Sequence, residues 1–134
     1  MFLDASAIVA ILTRESGFES LVAALEGATS RHTSGIAIFE AALGVRRKRR
    51  CDVAQAEQVV MRFLAALGIE VASIGAGQAS GALDAFSRFG KGAGHPAQLN
   101  MGDCFAYAVA RSLGAPLLFT GDDFARTDVN RAAG

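Results

Sequence analysis

Apolar residues along the chain follow two spacings in alternation, which predicts alternating strands and helices. An apolar residue at every third or fourth position indicates an amphipathic helix, and a short β-branched or wholly apolar run indicates a strand. The predicted strands are residues 1–3, a weak one at 30–33, IEVASI at 69–74 and PLLF at 116–119. The predicted helices are residues 6–12, 17–25, 35–50, 52–67, 79–89 and 101–114. This order predicts one α/β domain over residues 1–134, with a central parallel sheet of four to five short strands flanked by helices.

Polar residues support two of the predicted helix starts. Ser34 can cap the helix at 35–50, and Asp52 with Gln55 has the spacing of a capping box for the helix at 52–67. Gly68 directly follows that helix and is a typical helix end.

Composition narrows the classes of function. Thirteen basic residues balance thirteen acidic ones, so net charge alone predicts no polyanionic partner. No apolar run reaches the ~18 residues of a membrane span and the N-terminus lacks a signal-peptide pattern, so we expect a cytoplasmic protein without a membrane partner. Cys51 and Cys104 lie far apart and His32 and His95 are isolated, which offers little material for a zinc site or a Ser-His-Asp triad.

Acidic residues stand in four separate segments that are otherwise largely apolar. Asp4 follows the first predicted strand, and Asp122 and Asp123 follow the last one. Asp103 lies in the first turn of the last helix, and Glu40 lies on an apolar helix face. Ligands of open parallel sheets bind at the carboxyl ends of the strands, so we expect these acids to converge there.

Each acid also has a purely structural interpretation to set beside this one. Asp103 can complete a capping box with Asn100, and either aspartate of the TGDD run can be a turn residue. Asp4 and Glu40 occupy no evident cap or turn, so a structural role explains them less well.

Converging carboxylates would require a cation. At an effective dielectric constant of about 20, two carboxylates ~5 Å apart repel by about 3 kcal/mol. Oxygen ligands without histidine or cysteine suit Mg²⁺ or Mn²⁺, which keep several waters and complete their shell with phosphate. Carboxylate-held ions of this kind support hydrolysis of phosphodiesters.

Four stretches carry a resemblance to a known family. They are MFLDASAIVAIL at 1–12, FEAALG at 39–44, GKGAGHPAQLNMGDCFAYAVA at 90–110 and LLFTGDDFARTDV at 117–129. In these stretches the chain resembles the PIN-domain ribonucleases, and among them the VapC-like toxins of bacterial type II toxin–antitoxin pairs.

The resemblance implies a function and a set of site residues. It implies a Mg²⁺-dependent endoribonuclease that acts on RNA as a toxin, forms a homodimer and is inhibited by a cognate antitoxin protein. Through it, Asp4, Glu40, Asp103 and Asp122 are the expected catalytic acids, and Asp4, Asp103 and Asp122 the expected metal ligands, for Mg²⁺ or alternatively Mn²⁺. Asp123 is the alternative to Asp122, because two adjacent acids leave the register open.

The run RRKRR at 46–50 is the densest charge in the chain. On a helix, Arg47 falls two turns after Glu40 on the same face, about 10 Å along the axis. We therefore expect Arg46, Arg47, Arg49 and Arg50 to contact RNA phosphate or the antitoxin. The alternative is a solvated cluster that only stabilises the C-terminal end of its helix.

Two other functions are compatible with parts of the sequence. A PIN fold can serve as a catalytically silent interaction module that binds a partner peptide. An acid-pocket phosphotransfer protein is the second, but DAS lacks the second aspartate of a DxD nucleophile motif and no lysine follows a terminal strand in the manner of receiver domains.

Overall fold

Four short strands form the central sheet of the computed structural model, which describes residues 1–132. They are β1 (Phe2–Leu3), β2 (His32–Ser34), β3 (Glu70–Ala72) and β4 (Leu117–Leu118). All neighbouring strands are parallel, in the order β3-β2-β1-β4. The predicted α/β fold with a parallel sheet is confirmed, although each strand is only two or three residues long.

Six α-helices flank this sheet. They are α1 (Ala5–Leu12), α2 (Phe18–Gly27), α3 (Gly35–Arg49), α4 (Val53–Ala66), α5 (Ala76–Phe89) and α6 (Met101–Ser112), and a short 3₁₀ helix follows at Phe124–Arg126. Helix α5 begins three residues earlier than its apolar spacing predicts, because Gln78 caps its first turn by accepting a hydrogen bond from the Gly75 N–H (2.8 Å). Among residues 1–132, none of the helices combines the length and the apolarity that a membrane crossing needs.

Helices cover both faces of the sheet because successive strand residues point to opposite sides. Leu3 packs into a core with residues of α1, α2, α3 and α4, whereas Phe2 packs into a second core with residues of α5 and α6. In β4, Leu118 joins the first core and Leu117 the second. Strands β1 and β4 are therefore buried on both faces, as their unbroken apolar runs predict.

Both predicted helix caps are present. The Ser34 hydroxyl accepts a hydrogen bond from the Ala37 N–H (3.2 Å) at the start of α3. Asp52 and Gln55 form a complete capping box at the start of α4, with N–H to oxygen distances of 2.7 and 3.0 Å. These caps satisfy backbone donors that a helix start otherwise leaves unpaired.

A polar cluster fastens the segment after the 3₁₀ helix to α5 and α6. The Tyr107 hydroxyl donates to Asp128 and accepts from Arg111 (2.7 Å), and Arg88 donates to Asp128 (2.8 Å). These hydrogen bonds and charges hold the pKa of Asp128 below its ordinary value. The loop between β4 and Asp128, which carries Asp122 and Asp123, is therefore anchored at its far end.

Candidate metal centre

Asp4 occupies the position where the central strand β1 ends and α1 begins. Its side chain is only 4% exposed. Its carboxylate accepts hydrogen bonds from the Ser6 N–H (3.0 Å) and the Ser6 hydroxyl (2.5 Å), and its own N–H donates to the Leu118 carbonyl of β4 (3.0 Å). The sequence indicated no cap at this position, and that interpretation was wrong: Asp4 is the N-cap of α1.

Ser6 joins this carboxylate to the other side of the site. Its hydroxyl accepts a hydrogen bond from the Thr120 N–H (3.1 Å), directly after β4, while it donates to Asp4. Burial nevertheless raises the pKa of Asp4, and the hydrogen bonds from Ser6 oppose that rise without cancelling it. The cap therefore does not remove the electrostatic cost of a charge at this position.

Glu40 reaches the same region from α3. Its carboxylate lies against Gly102 of α6, so closely that a Cβ atom at Gly102 would overlap the carboxylate atoms. Burial, followed by the charges of Asp4 and Asp103, raises the pKa of Glu40 to about 7. The Glu40 carboxylate can therefore lie near the other acids only because residue 102 of α6 is a glycine.

Asp103 serves as a helix cap and as a member of the acidic cluster. Its N–H donates to the Asn100 side chain (2.9 Å), and its carboxylate accepts from the Asn100 N–H (3.1 Å), which completes the capping box at the start of α6. Burial raises the pKa of Asp103 to about 6, and the charges of Asp4 and Asp123 act in the same direction. The predicted capping box is therefore confirmed, and Asp103 also lies within range of the charges of Asp4 and Asp123.

The sequence also predicts a fourth acid in the loop after β4. Asp122 and Asp123 are both exposed. Asp123 is among the charges that raise the pKa of Asp103, and Asp122 is not. The charge of Asp123 therefore reaches Asp103, whereas the family resemblance favours Asp122 as the fourth acid.

The donor set fits a hard divalent cation. Asp4, Glu40 and Asp103 repel one another and none of them takes part in an ion pair within residues 1–132. In the same residues, no three His, Cys, Asp or Glu side chains are grouped closely enough to enclose a metal by themselves. Mg²⁺ does not need such a cage, because it binds one or two carboxylates and keeps several waters.

Comparison with known proteins connects this arrangement to a family. The PIN-domain family model matches residues 1–130. The chain belongs to the PIN-domain family. It is 42% identical over 132 residues to Ribonuclease VapC42 of Mycobacterium tuberculosis, covering 98% of each chain. It is also 42% identical over 139 residues to a VapC ribonuclease of Rhizobium meliloti, covering 96% of this chain and 98% of that protein.

A solved structure shows the same fold. It is that of Mycobacterium tuberculosis VapC20, described as a sarcin–ricin loop cleaving toxin, with a TM-score of 0.76 and 16% sequence identity over 99% of this chain and 98% of that one. At this identity the likeness concerns the fold alone. The predicted resemblance to PIN-domain, VapC-like proteins is confirmed by the family match and the two relatives.

The arginines of the RRKRR run differ in their surroundings in this PIN domain. All four are exposed, but only Arg47 lines the groove that also contains Glu40. Arg49 donates to the Leu12 carbonyl (2.5 Å) at the end of α1. The sequence did not predict these differences among the arginines. It also did not predict the role of Gly102, because nothing near NMGDC indicates that a carboxylate from another helix lies against that glycine.

We predict that Gly102→Ala destabilises the protein although alanine is the better helix former. The new methyl group would overlap the Glu40 carboxylate, and overpacking of this kind costs about 1–3 kcal/mol of unfolding free energy. Chemical denaturation measures the loss. Gly77→Ala in α5 is the matched control, because a Cβ atom there has no neighbour within 4 Å.

A second substitution makes the cause of that loss testable. Glu40→Ala removes the overlapping carboxylate, so we expect it to restore much of the stability that Gly102→Ala loses. Strictly additive effects of the two substitutions would contradict the proposed contact.

We also predict that the metal-free protein loses stability as pH rises from about 4 to 7. Folding raises the pKa of Glu40 from 4.5 to about 7 and that of Asp103 from 3.8 to about 6. Within this window the folded chain holds protons that the unfolded chain has released, so deprotonation favours unfolding. Thermal unfolding in EDTA at several pH values measures the slope, and Glu40→Gln should flatten it. A variant with the same slope as the unmodified protein would show that Glu40 does not titrate in this way.

Proposed function

We propose that the chain is a Mg²⁺-dependent endoribonuclease and the toxic component of a toxin–antitoxin pair. The observation that carries this proposal is the convergence of Asp4, Glu40 and Asp103 at the carboxyl end of β1, with raised pKa values and no cationic side chain paired to them within residues 1–132. Two relatives that match almost the whole chain are named as VapC ribonucleases. RNA is therefore the proposed substrate.

Asp4 and Asp103 would hold Mg²⁺, together with Asp122 or Asp123; Mn²⁺ would fit the same oxygen donors. The chemistry supplied by such an ion would be activation of water and stabilisation of the leaving oxygen of the phosphodiester. Ser6 fixes the orientation of the Asp4 carboxylate by donating two hydrogen bonds to it. Glu40 faces the same space from α3 and would position the attacking water.

The proposal includes two protein partners. A cognate antitoxin would inhibit the enzyme, and a second copy of the chain would form a homodimer. Large apolar side chains are exposed on α6 and on the two helices that it contacts, namely Phe39 and Leu43 on α3, Leu83 and Phe86 on α5, and Met101 on α6. Exposed apolar surface of this kind favours self-association. A monomeric mass in sedimentation equilibrium would contradict the homodimer.

Cleavage of RNA in the presence and absence of metal tests the activity. We expect the purified protein to cleave a structured RNA with Mg²⁺ and not with excess EDTA. Asp4→Asn should lower the rate by about two orders of magnitude, the effect of losing one electrostatic group in an active site. Asp52→Asn is the matched control, because Asp52 also caps a helix but lies outside the acidic cluster, and asparagine caps equally well.

Circular dichroism separates a chemical effect from a folding effect. Asp4→Asn should keep the native spectrum, since removing one charge from a repulsive cluster need not destabilise it. Equal cleavage with Mg²⁺ and EDTA would contradict the metal mechanism. A folded protein that binds partners but leaves RNA intact under every metal condition would identify the silent interaction module instead.

The same assay decides between the two acids of the last loop. We expect Asp123→Asn to lose more activity than Asp122→Asn, because the charge of Asp123 acts on Asp103. Binding of Mn²⁺, followed by electron paramagnetic resonance, should weaken in the same variant. The reverse order in both measurements would assign the role to Asp122, as the family resemblance does.

A further inference from the structure

A groove leads away from the acidic cluster along α3. Its volume is about 420 Å³, within the usual range of about 300–1,000 Å³ for ligand pockets. Its lining includes Ser6, Glu40 and Thr120 as well as Arg47, Lys48 and Glu15. The groove thus contains one of the proposed catalytic acids, Glu40, together with two cations of the basic run.

The floor of this groove is formed by a close approach of α1 and α3. A Cβ atom at Gly44 would lie 2.7 Å from a methyl carbon of Val9, so the two helices meet here only because residue 44 has no side chain. Both residues line the groove. The floor is therefore fixed by helix packing and does not depend on a mobile side chain.

The cations of the basic run have different partners. Lys48 forms an ion pair with Glu15 in the connection between α1 and α2, and Arg49 donates to the Leu12 carbonyl. Arg47 lines the groove and has no ion-pair partner within residues 1–132. The guanidinium that remains available to a ligand of the groove is therefore that of Arg47.

The spacing along α3 suits an extended polyanion. Arg47 follows Glu40 by seven residues, which places it two turns further on the same face, about 10 Å along the axis. A guanidinium binds phosphate through paired hydrogen bonds. A strand whose scissile phosphate lies at the acids would therefore present another phosphate to Arg47.

We infer that this groove binds the backbone of a single RNA strand, with Arg47 contacting a phosphate that flanks the scissile one while Lys48 and Arg49 hold the turn between α1 and α2. The inference rests on the proposed ribonuclease function and adds a defined path for the substrate. An acidic protein segment is the competing occupant. RNA is favoured over it because, under the proposed function, the substrate has to lie at the acids and then continues past Arg47.

Binding of a fluorescein-labelled oligouridylate, followed by anisotropy in EDTA at several salt concentrations, tests the inference. This probe lacks secondary structure, and gel electrophoresis verifies that it stays intact. Arg47→Gln should weaken binding about tenfold, the size of one charge-assisted hydrogen bond. It should also reduce the slope of log affinity against log salt by about 0.7, the value for one phosphate contact on a single strand.

Two control variants separate position from total charge. Arg62→Gln on α4 removes the same charge from an exposed site outside the groove and should leave the slope unchanged. Lys48→Gln breaks the ion pair with Glu15. It should lower the melting temperature and change the slope of log affinity against log salt less than Arg47→Gln does.

The outcomes also distinguish this inference from the proposed function. If Arg47→Gln binds the probe like Arg62→Gln while the unmodified protein still cleaves RNA with Mg²⁺, the groove is not the RNA path and a protein partner becomes its occupant. If Arg47→Gln alone loses affinity but the unmodified protein cleaves no RNA, the groove binds RNA and the nuclease function fails.

Discussion

The burial of the Asp4 carboxylate is the constraint on which the rest of the site depends. A nearly inaccessible charge at the end of the central strand is costly unless hydrogen bonds or an opposite charge compensate it. Ser6 supplies two hydrogen bonds, but burial still raises the pKa of Asp4, and Glu40 and Asp103 add repulsion. The fold therefore maintains an electrostatic demand that a divalent cation would meet. If the proposed cation binds there, the site gives up stability of the metal-free chain in return for affinity toward that cation.

The last loop depends on contacts at both of its ends. At its start, the Thr120 N–H donates to the Ser6 hydroxyl that also orients Asp4. At its far end, Tyr107, Arg88 and Arg111 hold Asp128 against α5 and α6. Asp122 and Asp123 lie between these anchors, and the charge of Asp123 helps to raise the pKa of Asp103. The buried acid after β1 is thus accompanied by an exposed acidic loop that hydrogen bonds hold at both ends.

The parts of this structure that were predictable from the sequence follow from local rules. Short apolar runs between amphipathic helices specify a parallel sheet, and the rule that ligands bind at the carboxyl ends of its strands places Asp4 near the loop after β4. The capping boxes at Asp52 and Asp103 follow from spacing alone. The N-cap role of Asp4 did not follow, because it depends on the direction in which the backbone leaves a two-residue strand. The contact of Glu40 with Gly102 could not be predicted from the sequence either, since it joins residues of two helices far apart in the chain.

Helix α3 determines how the acidic and basic parts of the protein are arranged relative to each other. Gly102 allows α6 to approach it at Glu40, and Gly44 allows α1 to approach it one turn later. Because Glu40 and Arg47 belong to the same helix, the spacing of their backbone positions does not vary with loop motion. A polyanion in the groove would be repelled by the acidic cluster unless a bound cation offset that charge. It would be attracted by Arg47, two helical turns away. Selectivity for a chain of phosphates over a single phosphate ion follows from that spacing, because only the chain can occupy both positions at once.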